Sequence, residues 1–163
     1  MNAAILTISS SVAAGTDEDV SGPALSDHAR AAGATILAAE VLADDRAAIE
    51  AALRRHSDPQ AGIALIFTTG GTGLTPDDVT PEATQAVIDR DAPGFAEALR
   101  AESLRHTPMG LLTRGVSGIA GRTLIVNFPG SPRAIGQLFP VIAPTLEHAV
   151  ATLQREGGRA DRH

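Results

Sequence analysis

A chain of 163 residues with a formal net charge of -6 and 13 basic residues, all of them arginine, is long enough for one core. It is too acidic for a general nucleic-acid surface and, lacking lysine, it excludes a P-loop lysine, a Schiff base and a lysyl-AMP intermediate. The absence of cysteine removes disulfides, thiolate nucleophiles and cysteine-based zinc sites and fits a reducing, cytoplasmic setting, while an aromatic content of 2% leaves the core to Ala, Val, Leu and Ile.

Residues 3–8 form an apolar run that reads as a buried first strand and not as a signal peptide, since no basic segment precedes it and no A-x-A-like site follows. The polar residues 9–22 read as a long loop. Pro23 opens a helix carrying Leu25, His28 and Ala29 on one stripe, and Gly33 stops it. A strand over 34–42 follows, and Asp44 or Asp45 caps a helix to about residue 56 with Ile49 and Leu53 inward.

Residues 62–67, GIALIF, are the strongest strand, a continuous apolar run of the kind that a parallel sheet buries on both faces. Residues 68–80 read as a loop, Pro81 starts a helix with Glu82 in its first turn, and residues 94 to about 104 give another. Residues 114–121 suggest irregular strand and 122–128 a last strong one. Residues 129–132 then turn into a C-terminal helix that Pro140 and Pro144 should interrupt or kink.

No apolar run reaches the ~18 residues of a membrane span, which predicts a soluble protein without membrane partners. Strand and helix alternate without repeat or linker. Residues 1–163 therefore read as one α/β domain, a three-layer α/β/α sandwich with a mostly parallel, doubly wound sheet and a frayed polar tail at 155–163. In such folds ligands bind beyond the carboxyl ends of the strands.

The chemistry concentrates at residues 68–84, TTGGTGLTPDDVTPEAT, between the best strand and a helix. Gly70, Gly71 and Gly73 permit backbone angles and close approaches that a Cβ would block, so successive N–H groups can converge on an anion, with Thr69 and Thr72 as hydroxyl donors. The same loop reads equally as a tight connection. Asp77 and Asp78 stand where capping alone would explain a carboxylate, and Asp19, Asp44 and Asp45 invite the same comparison. If the sheet is parallel, however, all three acidic loops share one edge with the glycines, which is how a magnesium site is built beside a phosphate site. Asn127-Phe128-Pro129-Gly130-Ser131-Pro132 turns a strand end into a helix N-terminus. That sequence reads either as an anion site, with Arg133 close by, or as a simple turn. His28, His56, His106, His148 and His163 are scattered and read as structural or surface residues.

The ordered set GGTG at 70–73, DVTPEAT at 78–84, Asp89-Arg90, Pro93-Gly94-Phe95 with Glu97, Pro129-Gly130-Ser131-Pro132 and Asp19-Val20-Ser21-Gly22-Pro23 resembles the molybdopterin adenylyltransferase family, the MogA and MoaB proteins and the G domain of gephyrin. That resemblance implies an α/β/α subunit assembled as a trimer or hexamer, with a molybdate-inserting partner downstream. It also implies transfer of AMP from MgATP to the terminal phosphate of molybdopterin, with release of pyrophosphate. On this sequence the implied catalytic and Mg2+-holding pair is Asp44 and Asp78. The implied substrate and phosphate set is Ser9, Asp19, Ser21, Gly22, Thr69, Gly70, Gly71, Thr72, Gly73, Thr80, Pro129, Gly130 and Ser131.

Three departures stand out. Ser9-Ser10-Ser11 replaces the Asp or Asn common after the first serine, Thr113-Arg114 replaces Ser-Arg, and Arg133 replaces a lysine, keeping charge but not geometry. The alternatives are a MoaB-like binding protein without catalysis, for which the acid at position 44 is the discriminating feature, and a nucleotide pyrophosphatase resembling the competence-damage domain. The loop of the latter reads GGLGPT where this one reads GGTGLT.

Overall fold

The structure, a computed structural model, describes residues 1–155; residues 156–163, with His163 and nearly all of the expected tail, lie outside the described residues. Six strands form one sheet: β1 (Asn2–Ile8), β2 (Thr35–Leu42), β3 (Leu65–Thr69), β4 (Arg90–Asp91), β5 (Ser117–Ala120) and β6 (Thr123–Phe128), in the order β2-β1-β3-β6-β5-β4. The four longest strands, β2, β1, β3 and β6, run parallel; β5 and β4 add an antiparallel edge. The helices are α1 (Ser10–Ala13), α2 (Ser21–Ala31), α3 (Arg46–Ser57), α4 (Thr80–Val87), α5 (Pro93–His106) and α6 (Pro132–Leu153).

Alternation along the strands makes the three layers. Ala3, Ile5, Leu65, Phe67, Leu124 and Val126 face Leu25 of α2, Leu99 of α5 and Ile135, Phe139 and Ile142 of α6. Ala4, Leu6, Ile8, Ile66 and Ile125 face Ile49 and Leu53 of α3 and Ala83 of α4. With so few aromatics, three of the four phenylalanines meet in one place: Phe139 lies 5.4 Å from Phe67 and 5.7 Å from Phe128, centroid to centroid, and His28 stacks on it at 5.7 Å. That cluster sits under the carboxyl ends of β3 and β6.

Several local expectations are corrected. The polar stretch 9–22 holds the short helix α1, capped by Ser9 Oγ accepting from Val12 N–H at 3.4 Å. Helix α2 begins at Ser21, ahead of Pro23, because Asp19 Oδ1 accepts from Gly22 N–H at 2.9 Å. Strand β3 starts later than residue 62, since Gly62 adopts a left-handed φ of 67° after a 3-10 turn at Pro59–Ala61, and it extends through Thr68 and Thr69, which pair with both neighbours.

Helix α6 runs unbroken past Pro140 and Pro144, whose rings sit on its exposed face. Meanwhile the buried stripe Ile135, Leu138, Phe139, Ile142 and Leu146 continues across them. Strand β4 has two residues, too few to show a period. Among the described residues no helix is long and apolar enough to cross a membrane.

Candidate active site

Parallel pairing aligns four strand ends. Ile8 pairs with Leu42, Thr7 with Thr69, and Thr69 with Phe128, so the loops after β1, β2, β3 and β6 leave one edge of the sheet together. Asp19, Asp44, the glycine loop with Asp78, and the Pro129–Pro132 turn are thereby gathered on that edge.

The glycine loop is shaped by contacts that forbid side chains. Gly70 has φ 95°, and a Cβ there would lie 2.2 Å from Ile8 O. Gly71 has φ 65°, and its Cβ would lie 2.3 Å from Thr80 Oγ1 and 3.2 Å from Asp44 Oδ1. On Gly73 it would lie 2.8 Å from Asp78 Oδ2. Asp44 and Asp78, from separate loops, thus flank one short strip of glycine backbone. The Pro129–Pro132 turn abuts it: a Cβ on Gly130 would come 3.4 Å from Gly70 Cα, and Gly70 N–H donates to Phe128 O at 3.1 Å.

Both carboxylates are half engaged. Asp78 Oδ2 accepts from Thr75 N–H at 3.0 Å and Thr75 Oγ1 at 2.8 Å. Asp44 Oδ2 accepts from Ser10 N–H at 2.9 Å and Ser10 Oγ at 3.0 Å. The Oδ1 atoms have no hydrogen-bond partner among the described residues. No group of three or more His, Asp or Glu side chains is arranged for a metal among the described residues. A cation here would therefore take one or two protein carboxylates and draw its remaining oxygens from substrate and water. That is the habit of Mg2+.

The other expected site residues fall into two groups. Thr69 and Thr80 are fully buried and direct their hydroxyl protons to Pro129 O at 2.8 Å and Gly70 O at 3.0 Å, so they brace the cradle from behind. Asp19 has both oxygens engaged, by Thr7 Oγ1 and Gly22 N–H, each at 2.9 Å, and Ser131 Oγ caps α6 through Ala134 N–H at 3.3 Å. Thr72 Oγ1 has no partner among the described residues and can donate to an anion. Ser9, Asp19, Ser21, Gly70 and Gly130 share the wall of a cavity of about 200 Å³ on the β1 side of the turn. Gly22 lies just behind it. Arg133 is exposed in the first turn of α6. The described histidines serve elsewhere: His56 pairs with Glu40 at 2.6 Å, His106 with Glu102 at 3.0 Å, and His148 is exposed.

Two arginines carry roles that sequence reasoning did not assign. Arg114 donates through its main-chain N–H to Thr72 O at 2.8 Å, through Nε to Gly73 O and through Nη2 to Asp78 O, both at 2.7 Å, and its Nη1 pairs with Glu82. It is a clamp on the glycine loop, with its fork already occupied. The Arg114 guanidinium holds the Glu82 carboxyl below the usual carboxylate range, against a smaller opposing effect of burial, and Glu82 raises Arg114 in return. Nothing in its spacing from the loop signals this role. Arg100 Nη1 donates to Gly115 O at 2.9 Å beside a cavity of about 180 Å³ on the α5 side of the turn, which Leu99, Ser103, Thr107, Met109, Thr113 and Pro129 also line. A larger cavity of about 360 Å³, walled by Phe95, Ala98 and Val141, contains none of these groups.

A mostly parallel three-layer sandwich with a glycine strip and two carboxylates at its carboxyl edge is a doubly wound α/β protein, the class that binds its ligands at that edge. Residues 4–148 match the family described as probable molybdopterin binding domain, and the chain belongs to that family. It is 38% identical over 147 residues to the molybdenum cofactor synthesis protein cinnamon of Drosophila melanogaster, covering 90% of this chain and 24% of that one. It is 39% identical over 111 residues to the molybdopterin adenylyltransferase of Helicobacter pylori strain 26695, covering 68% of this chain and 62% of that one. The chain thus spans less than two thirds of either curated relative. The solved structure of MoaB, a molybdopterin biosynthesis enzyme of Thermus thermophilus, superposes with a TM-score of 0.87 at 39% identity, covering 93% of this chain and 95% of that one.

Proposed function

We propose that this protein acts in molybdenum-cofactor biosynthesis by moving AMP from ATP onto the terminal phosphate of molybdopterin. A phosphate oxygen of the pterin forms a bond to the α-phosphorus of ATP, the bond from that phosphorus to the bridging oxygen breaks, and pyrophosphate leaves. The attacking group is already ionised, so no general base is needed, in keeping with an edge that carries no histidine among the described residues.

The observation that carries the reading is the convergence of Asp44 and Asp78, from separate loops, on the Gly71–Gly73 strip. Their free oxygens would hold Mg2+. When bound, that ion neutralises two anionic reactants and aligns the attack. The Gly71 and Gly73 amides and the Thr72 hydroxyl would receive phosphate, the Gly70 amide being already engaged by Phe128 O, with Thr69, Thr80 and Arg114 keeping the loop in place. The mostly apolar cavity beside Pro129, which Ser103, Thr107 and Thr113 also line, would take the pterin.

The accompanying reading is of a single domain working in the cytoplasm as a homotrimer or hexamer and handing its product to a molybdate-inserting partner. The decisive experiment incubates purified protein with molybdopterin, ATP and Mg2+ and follows adenylylated pterin and pyrophosphate together. Absence of both with competent substrate would end the proposal. Pterin binding without turnover would leave a carrier in place of an enzyme.

A further inference from the structure

We infer that Ser10 is a positioning residue that sets the carboxylate of Asp44 for a divalent cation; the inference rests on the metal reading above. Strands β1 and β2 end on one rung, Ile8 beside Leu42, and Ser9 N–H ties the ends together through Leu42 O at 2.8 Å. Ser10 and Asp44 each stand two residues past that rung and so leave the sheet side by side.

Their contact is reciprocal. Ser10 N–H and Ser10 Oγ reach Asp44 Oδ2 at 2.9 and 3.0 Å, and Asp44 N–H reaches Ser10 Oγ at 2.9 Å. An N–H can only donate, so a lone pair of the serine hydroxyl takes the Asp44 N–H and its single proton goes to Oδ2. The closed ring stops the carboxylate from turning. It also decides which oxygen is left over: Oδ1, standing 3.2 Å from where a Cβ on Gly71 would be, over the glycine strip. Asp78 is held by Thr75 of its own turn, whereas every donor to Asp44 among the described residues comes from Ser10, on another loop.

Alanine at position 10 keeps the main-chain donor but removes the proton to Oδ2 and leaves Asp44 N–H without a protein acceptor. Threonine keeps both. Groups that orient a metal ligand from behind typically change metal affinity by about 10- to 100-fold when removed.

The test titrates Mn2+ alone into the full chain, without nucleotide, and counts free ion by electron paramagnetic resonance. Wild type, Ser10→Thr, Ser10→Ala and Asp44→Asn are compared, with thermal unfolding of each to verify an equal fold. Ser10→Thr should bind as wild type, Ser10→Ala about tenfold or more weakly, and Asp44→Asn more weakly still. Normal binding by Ser10→Ala beside a loss in Asp44→Asn overturns the role of Ser10 and leaves the metal reading standing. Equal weakening in Ser10→Thr and Ser10→Ala overturns it too, because the hydroxyl would not be responsible. If wild type takes up no Mn2+, or if Asp44→Asn binds as wild type does, the metal reading falls and the role of Ser10 falls with it.

Discussion

Replacing Asp78 with asparagine separates structure from chemistry at one atom. Thr75 N–H can only donate, so the asparagine must turn its carbonyl oxygen toward that group, as Asp78 Oδ2 is turned now. Its NH2 then necessarily takes the place of Oδ1, where it cannot ligate a cation. The turn is kept, and the change in stability should stay within about 0.5 kcal/mol, as for a surface substitution that preserves its contacts. Turnover should fall by about a hundredfold or more, equivalent to about 2.7 kcal/mol or more of transition-state stabilisation. Single-turnover release of pyrophosphate, measured beside urea unfolding of the same preparation, checks both halves. A fully active Asp78→Asn would refute the reasoning, and so would a loss of activity that merely tracks a loss of fold.

Gly71→Ala forces a Cβ into a left-handed backbone and onto Thr80 Oγ1. It should lower stability by about 2 kcal/mol, combining backbone strain with a broken brace, and weaken pyrophosphate binding measured by calorimetry. Arg114→Lys cannot span Gly73 O, Asp78 O and Glu82 from one ammonium, so amide exchange at residues 72–78 should accelerate while the sheet stays protected. Because the folded-state pKa of Glu82 is depressed, its contribution to stability is present above the ordinary carboxylate range. It is lost as pH falls through that range to the lower folded value, and Glu82→Gln should flatten the acid limb of the unfolding profile. Phe139→Ala removes a side chain that is 1% exposed and touches two other phenylalanines. It should destabilise by about 3–5 kcal/mol in denaturant titrations.

The long strands and the helices between them were legible because each carries an apolar run or a 3.6-residue stripe, here Leu25 and Ala29 or Ile49 and Leu53. The gathering of Asp44, Asp78 and the glycines was legible for a topological reason: in a parallel sheet every strand delivers its following loop to one edge. What sequence does not encode locally was missed. The hydroxyl of a threonine can face a ligand or a carbonyl behind it, and only the packed structure reveals that Thr69 and Thr80 face backward. Arg114 reaches the loop through the fold and not through the chain. Proline removes a hydrogen bond wherever it sits, but Pro140 and Pro144 lie on the exposed face of α6 while its buried stripe packs continuously across them.

The equal offset of Ser10 and Asp44 from one rung also sets where the chain tolerates a change of length. Adding or deleting one residue at 9–10 or at 43–44 would throw the two out of step and break the ring between them. A few residues further on, the backbone at Gly15 turns with φ 76°, and a Cβ there would meet nothing within 4 Å. A reporter peptide or a longer natural loop spliced in at that bend would therefore leave the paired positions in phase.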